Sequence, residues 1–187
     1  MCGRYYIAPD EEEEDWEEII AILQRRGETV KTGEIFPSDT VPVIANSRSM
    51  RPTPFAMRWG YLLPNGKRVI NARSETVTEK PMFRRDFFER RCLLPASGFY
   101  EWSPEKRKYL FSRPDGKPVF LGGFYKKQSD KKAFIILTKE ATAPVSRFHN
   151  RIPILIDEAN IEDWLGDIDF AFHYVQTDYP SALVFHS

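Results

Sequence analysis

A cysteine stands at the second position of the chain, directly after Met1. If Met1 is removed, Cys2 carries a free amine beside its thiol, with ordinary pKa values of roughly 8 and 8.5, so a fraction of each is nucleophilic near neutral pH. Such a 1,2-aminothiol captures an aldehyde as an imine and then closes a thiazolidine ring. The alternative is an ordinary cysteine in a terminus that frays. The chemistry therefore depends on a frame that the rest of the chain must build.

Three downstream residues have side chains that suit such a frame. Asn71 follows an apolar pair, and its amide can orient a nucleophile or a carbonyl, although it could equally satisfy a local turn. Glu101 lies among aromatic residues, where desolvation would raise its pKa toward the range useful for proton transfer, unless strand alternation turns it to water. His149 has polar neighbours and could shuttle protons, or it could simply cap a turn.

Arginines stand next to aromatic rings at three places, Arg4-Tyr5-Tyr6, Arg58-Trp59 and Arg147-Phe148. Such pairs suit single-stranded nucleic acid, whose bases expose their faces, and they suit protein cores equally well. The chain has 27 basic and 27 acidic residues. Zero net charge argues against indiscriminate coating of nucleic acid, but it permits a local basic groove.

The elements that must position these residues are short. An amphipathic helix is predicted over residues 10–26 with Asp10 as its N-cap, a second helix over Met82–Arg91 and a third over Ile161–Leu165. A final strand is expected around Phe172–Val175. The other predicted strands are Val41–Ala45, Thr53–Trp59, Arg68–Arg73, Gly98–Trp102, Lys108–Ser112, Val119–Lys126 and Ala133–Thr138.

These patterns predict an α+β fold, a single domain over residues 1–187 with a curved, mostly antiparallel or mixed, barrel-like β-sheet core and peripheral helices. Cys92, His173 and His186 are expected to be packing residues. Two cysteines are too few for a disulfide framework and lack metal-ligand spacing, so no metal or cofactor is expected. With neither a membrane-spanning run nor a signal pattern, the expected location is the cytoplasm.

Together the segments resemble the SOS response-associated peptidase (SRAP) family, whose members shield abasic sites in single-stranded DNA. The matching segments are Met1–Arg4, Arg58–Gly60, Asn71–Thr76, Phe83-Arg84, Arg91–Trp102 and His149–Pro153. The chain departs from the family pattern after Gly60, where a second tryptophan and a longer loop are missing and Asn65-Gly66 indicates a tight hairpin turn. It also has Ile152 where methionine is common.

The resemblance implies that Cys2 is the catalytic nucleophile, with Asn71, Glu101 and His149 as its companions. The implied function is an abasic-site sensor that forms a covalent thiazolidine crosslink through Cys2 after Met1 has left. Autoproteolytic removal of Met1 and a lyase-type activity at the same site are also implied.

The resemblance further implies that the partner is single-stranded DNA containing abasic sites. Arg4, Arg73 and Arg151 are expected to contact the DNA backbone, and Trp59 is expected on the DNA-facing surface. The protein is expected to act as a monomer, without membrane or metal, and to be associated with the nucleoid when bound to damaged DNA.

Two rival functions remain open from the residues alone. In the first, the chain is a peptidase in the literal sense, with Cys2 attacking amides and Glu101 or His149 acting as base. In the second, it is a non-catalytic binder of single strands in which Cys2 is structural. Crosslinking to abasic DNA and its dependence on Cys2 separate the three hypotheses.

Overall fold

A computed structural model describes residues 2–8, 14–177 and 182–187, with the backbone alone for residues 14–17. The strands are β1 Tyr5–Ile7, β2 Gly33–Ile35, β3 Thr40–Asn46, β4 Pro52–Trp59, β5 Tyr61–Leu62, β6 Arg68–Val69, β7 Asn71–Arg73, β8 Arg91–Ala96, β9 Gly98–Trp102, β10 Lys108–Ser112, β11 Val119–Gln128, β12 Lys131–Glu140, β13 Arg151–Pro153, β14 Leu155–Ile156 and β15 Val184–His186. The helices are α1 Glu14–Arg25, α2 Pro81–Glu89, α3 Ile161–Gly166 and α4 Ile168–Gln176.

A closed ring of strands forms the centre of the fold. Strands β3, β4, β12, β11 and β8 each pair with the next, and β8 pairs again with β3. The β4–β12 pairing is parallel and the others are antiparallel. Closure leaves the ring with no unpaired edge, which is how barrels avoid edge-to-edge association. The predicted curved, mixed and barrel-like core is confirmed.

A second, antiparallel sheet holds the first described residues of the chain. Its strand order is β15-β10-β9-β1-β2, and Tyr5 of β1 lies between Phe99 of β9 and Ile35 of β2. The pairing continues toward the N-terminus, because the Tyr100 amide donates to the Arg4 carbonyl at 2.9 Å. Residues 2–4 are therefore held against β9, which also carries Glu101.

Two hydrophobic cores lie on opposite sides of the barrel wall. Along β12, Phe134 and Ile136 enter the core shared with the second sheet, whereas Ile135 and Leu137 enter the core beneath α2, α3 and α4. Alternate residues of a strand point to opposite faces. Because both faces of β12 are buried, its sequence is a continuous apolar run instead of an alternating one.

The structure differs from the sequence predictions in its helices and in several strands that were not predicted, among them β1, β2 and β8. Asp10 lies outside the described residues, and α2 ends before Arg91, which belongs to β8. The strand predicted around Phe172–Val175 is wrong, because this segment lies in α4, where Asp167 caps the helix by accepting hydrogen bonds from two backbone amides. Within the described ranges, no helix is long and apolar enough to cross a membrane.

The turn at Asn65-Gly66 forms as predicted, and it joins β5 to β6 in a small hairpin. The single strand predicted over Arg68–Arg73 is divided into β6 and β7, because β6 pairs with β5 while β7 pairs with β12. His173 and His186 are exposed instead of packed. Cys92 is buried in the barrel wall, as expected.

Candidate active site

Cys2 is a core residue of the structure and not part of a frayed end. Its side chain has no exposed surface, and its thiol donates to the Arg4 carbonyl oxygen at 3.9 Å. Burial raises the pKa of the Cys2 thiol well above its ordinary value, and the negative charge of Glu101 raises it further. The thiol is therefore held in its protonated form near neutral pH.

Asn71 holds the Cys2 backbone in place. The Asn71 Nδ2 atom donates to the Cys2 carbonyl oxygen at 2.8 Å. Asn71 begins β7 and lies beside Ile136 of β12. The preceding carbonyl, of Ile70, accepts hydrogen bonds from the Trp59 indole and the Ile136 amide, each at 3.1 Å. The orienting amide is thus fixed by backbone pairing on its own strand.

Glu101 faces the core, which settles the choice that the sequence left open. It is 2% exposed and shares the inward face of β9 with Phe99, whereas Tyr100 and Trp102 are only partly buried on the other face. Burial raises the pKa of Glu101, and the nearby His149 opposes that rise. Glu101 therefore keeps a proton at higher pH than an exposed carboxyl would.

His149 lies next to Glu101, with 4.0 Å between Nδ1 and Oε1. Its backbone amide donates to the Val145 carbonyl, at the end of a 3-10 turn over Val145–Arg147. The His149 Nδ1 atom accepts from the Arg151 amide at 2.9 Å. A neutral imidazole that accepts at Nδ1 carries its proton on Nε2. The tautomer inferred from this bond makes His149 a proton donor through Nε2.

The four predicted catalytic residues thus come from separate elements and meet at one side of the barrel. Their side chains supply a thiol, an orienting amide, a carboxyl group with a raised pKa and an imidazole, which together suit nucleophilic attack with proton transfer. In the part of the chain that the structure describes, no cluster of three or more His, Cys, Asp or Glu residues is placed to hold a metal ion.

Arg4 lies at the outer edge of this site. Its guanidinium group lies 4.0 Å from the ring centre of Phe36 and 5.3 Å from that of Trp102. It also donates to Glu34 at 3.0 Å, and Lys108 binds the same carboxylate oxygen. The hydrogen bonds from these two cations lower the pKa of Glu34. Arg4 is partly exposed, stacked and paired.

Arg73 and Arg151 differ in whether their guanidinium groups are paired with a carboxylate. Arg73, at the end of β7, is exposed and forms no ion pair with a carboxylate in the described ranges. Arg151 is 12% exposed in its side chain and makes a two-pronged pair with Glu75, at 2.6 and 2.9 Å. It also donates to the Thr138 carbonyl. Arg151 therefore ties β12, β13 and the turn after β7 together.

The structure contradicts the surface position predicted for Trp59. Its side chain is 0% exposed and is stacked parallel to Phe134, with 6.3 Å between ring centres, and tilted against Tyr5 at 5.2 Å. The cause is strand alternation, because Met57 and Trp59 of β4 point into the core while Arg58 points to solvent. Trp59 supports Asn71 through the Ile70 carbonyl.

An aromatic surface that the sequence patterns did not predict lies on the outward face of the second sheet. Tyr6, Tyr100 and Trp102 are partly exposed there, next to Phe36, which is 38% exposed. Lys108 lies 3.9 Å from the Tyr100 ring centre. The signal was present in the alternation along β9, since a buried Glu101 requires its two aromatic neighbours to face outward. Rings flanked by cations form a platform on which bases could stack.

Comparison with known proteins gives a consistent result. The family model for "SOS response associated peptidase (SRAP)" matches residues 1–179. The chain is 29% identical over 194 residues to abasic site processing protein YoaM of Bacillus subtilis, covering 95% of this chain and 84% of that protein. It is 25% identical over 179 residues to abasic site processing protein YedK of Escherichia coli, covering 88% and 79%. A crystal structure of a Bordetella bronchiseptica protein has the same fold, with a TM-score of 0.79 at 20% identity over 98% of both chains.

Proposed function

The chain belongs to the SOS response-associated peptidase family, and we propose on that basis that it processes abasic sites in DNA. In detail, we propose that it binds single-stranded DNA and links covalently to the abasic sugar through Cys2 after Met1 has been removed. The observation that carries this proposal is the 2.8 Å hydrogen bond from Asn71 to the Cys2 carbonyl. It holds a reactive residue in a fixed position, which the chemistry requires.

The reaction begins at the C1′ aldehyde of the ring-opened sugar. The Cys2 amine adds to the aldehyde carbon, and loss of one water gives an imine. The thiol then gives up its proton and adds to the carbon of the protonated imine, which closes the thiazolidine. The amine acts before the sulfur because burial keeps the thiol protonated, with a raised pKa. The overall change is one new C–N bond, one new C–S bond and one released water.

Glu101 and His149 supply the proton transfers. The raised pKa of Glu101 lets it donate a proton to the departing hydroxyl, and the resulting carboxylate then takes the proton of the attacking thiol. His149, whose Nδ1 atom lies 4.0 Å from the Glu101 Oε1 atom, donates a second proton through Nε2. The same groups serve hydrolysis of the Met1–Cys2 amide, so autocatalytic removal of Met1 is part of the proposal.

The imine also explains a lyase-type side reaction. An imine at C1′ acidifies the proton at C2′, and a base that removes this proton expels the 3′ phosphate and cuts the strand. Ring closure by the thiol consumes the imine, so the thiazolidine protects the strand. A Cys2→Ser chain that has lost Met1 keeps the amine and loses this protection.

DNA contacts are assigned to the cations and rings around the site. Arg73 is the exposed cation next to Asn71, and Arg4 with Trp102 and Phe36 forms the edge of the aromatic platform. We keep Arg151 in the proposal as a backbone contact that exchanges its Glu75 partner for a phosphate. Trp59 has no direct contact with DNA in the proposal, because it is buried.

A crosslinking assay tests the function. The protein is incubated with a single-stranded oligonucleotide containing one abasic site, and the products are heated and separated on a denaturing gel. Wild type is expected to give a heat-stable adduct band, Cys2→Ala to give none, and Cys92→Ala, at the other buried cysteine, to retain the band. An undiminished band in Cys2→Ala would contradict the proposal, and so would peptide turnover by a wild type that forms no band.

A further inference from the structure

A strongly basic groove lies at the turn of the β11–β12 hairpin, away from Cys2. Its volume is about 710 Å³, and it is bounded by this hairpin, by the end of β4 and by the β5–β6 hairpin. The basic residues of its lining are Arg58, Arg68, Lys126, Lys127, Lys131 and Lys132, and Asp130 is the one acidic residue among the described lining residues. We call it the hairpin groove.

The cations of the hairpin groove form no ion pairs in the described part of the chain, although Glu28 lies near enough to Lys132 to favour its charged form. None of the six forms an ion pair with a described carboxylate, whereas Arg90 and Arg113 elsewhere pair with neighbouring aspartates. Arg68 is also partly desolvated next to Arg58, and these two effects lower its pKa. Like charges held together repel each other, so an anion is the ligand that such a groove favours.

Hydrogen bonds between the two hairpins fix the geometry of the groove. Gln128, at the end of β11, accepts a hydrogen bond from the Leu62 amide at 3.0 Å and donates to the Leu62 carbonyl at 2.9 Å. This two-bond clamp fixes the β11–β12 hairpin to the β5–β6 hairpin. The positions of the lysines relative to Arg58 and Arg68 are therefore set by the backbone.

The strand register shows how near the groove lies to the candidate active site. Ala133 of β12 lies opposite Arg58 of the groove, and Ile136 of the same strand lies opposite Asn71. Three residues along a strand span about 10 Å. Ala133 and Ile136 face opposite sides of the barrel wall, so a strand of DNA held at Cys2 has to pass around the end of β12 to reach the groove, a path of several nucleotides.

We propose that the hairpin groove binds backbone phosphates of the lesion-carrying DNA strand, several nucleotides away from the sugar held at Cys2. The identity of that strand rests on the proposed function. The basic character of the groove, its clamp and its register relative to Asn71 do not depend on it.

The ring faces near the groove indicate that it binds phosphates and not bases. Lys126 lies 4.1 Å from the Tyr61 ring centre, and Lys132 lies 3.5 Å from that of Phe55, so the cations cover these rings. The platform near Arg4 has the opposite character, because Phe36 is 38% exposed. Binding in the groove is therefore independent of base sequence and sensitive to salt.

The test replaces two lysines of the groove. Lys127 and Lys131 are exposed, so Lys127→Gln/Lys131→Gln preserves the fold. The matched control is Lys80→Gln/Lys117→Gln, which makes the same charge change at exposed positions outside the groove lining. Affinity is measured by fluorescence anisotropy over a range of salt concentrations, with single-stranded oligonucleotides of about 5 and about 20 nucleotides, lengths chosen around known site sizes.

The groove variant is expected to bind the long strand about 3- to 10-fold more weakly. The slope of log affinity against log salt should fall by about 0.7 for each phosphate that the variant no longer neutralises. Its affinity for the short strand, and both affinities of the control, should stay at the wild-type values. Equal weakening with both lengths would overturn the inference. Unchanged binding of both lengths would also overturn the inference and would indicate that the groove binds an acidic protein instead of DNA.

The failure of this inference can be told apart from a failure of the proposed function. The same preparations are incubated with the short oligonucleotide carrying an abasic site, and the adduct is measured. Wild type without an adduct would refute the proposed function, whatever the groove variant does. A groove variant that binds both oligonucleotide lengths with equally weakened affinity, but forms a normal amount of adduct, would refute only the inference about the groove.

Discussion

At the residue scale, a single hydrogen bond turns a terminal cysteine into a positioned one. Asn71 donates to the Cys2 carbonyl, and its own place is fixed by the pairing of β7 with β12. The Asn71 Oδ1 atom is buried and accepts no hydrogen bond within the described residues. The amide therefore has an acceptor left for a substrate group or for the freed amine.

Asn71→Asp is the substitution that removes this donor with least change in shape. An ionised aspartate cannot donate to the Cys2 carbonyl, and a net loss of about 1 to 2 kcal/mol is typical for such a bond. We expect crosslinking to slow by about tenfold, with DNA affinity changed much less, as measured by single-turnover adduct formation and anisotropy. Wild-type crosslinking by both Asn71→Asp and Asn71→Ala would show that the bond has no role in positioning.

Glu101→Gln should separate stability from activity. Burial gives Glu101 a higher pKa in the folded chain than in the unfolded chain. Its contribution to stability is therefore full below the unfolded pKa, about 4.3, and is lost as pH rises through the folded pKa. We expect Glu101→Gln to melt above wild type at about pH 8, and this difference to shrink toward about pH 4.

The same variant should form the adduct about 100-fold more slowly, the scale typical of a lost general acid or base. Glu79→Gln, at an exposed position before α2, is the matched control and should behave as wild type in both measurements. A Glu101→Gln chain with a normal rate would reduce Glu101 to a packing residue. A lower melting temperature at about pH 8 would contradict the account of its burial.

At the element scale, alternation along β4 and β9 determines which side chains reach the site. The sequence could not decide the orientation of Glu101, because Phe99, Tyr100 and Trp102 place large apolar groups on both faces of β9. One face packs into the core, and the other forms the aromatic platform. Trp59 was misplaced for a different reason, since its surface position was taken from the family resemblance, whereas its alternation with Met57 indicated a position in the core.

In the segment around Phe172, the alternation of aromatic residues predicts a strand, but the structure has a helix. Phe170, Phe172 and Tyr174 alternate as in a strand, yet the residues buried in α4 are Ala171, Tyr174 and Val175, which are spaced as on one face of a helix. The cap at Asp167 was the sequence signal that favoured a helix. Of the five barrel strands, β3, β4, β11 and β12 were predicted, whereas β8 was not, because its residues are all buried and show no alternation.

Gly123 tests the barrel closure. A Cβ at this position of β11 would collide with the backbone carbonyl oxygen of Ile135 on β12, which cannot move without opening the ring. We expect Gly123→Ala to lower the free energy of unfolding by about 1 to 3 kcal/mol, as overpacking commonly does, measured by denaturant unfolding. Gly166→Ala is the control, because its Cβ would meet Asn46 only at 3.9 Å. Equal stabilities of the two variants would contradict the packing described for β11.

At the scale of the whole molecule, the closed barrel separates the helices, which stabilise the fold, from the sheet that contributes to the candidate active site. One side of its wall packs on the helices, and the other packs on the sheet that carries Arg4 and Glu101. The family resemblance located the four proposed catalytic residues in the sequence, but the tertiary packing that brings them together could not be derived from spacing. The hairpin groove could not be predicted from the sequence either, since its cations come from four separate strands, β4, β6, β11 and β12.

The most direct test of the central claim is the intact mass of the crosslinked protein. Wild type is incubated with a short abasic oligonucleotide, and the adduct is measured by mass spectrometry. The account predicts a mass equal to the chain without Met1, plus the oligonucleotide, minus one water, with fragmentation placing the bond at Cys2. An adduct that retains Met1, or one attached at another residue, would contradict it.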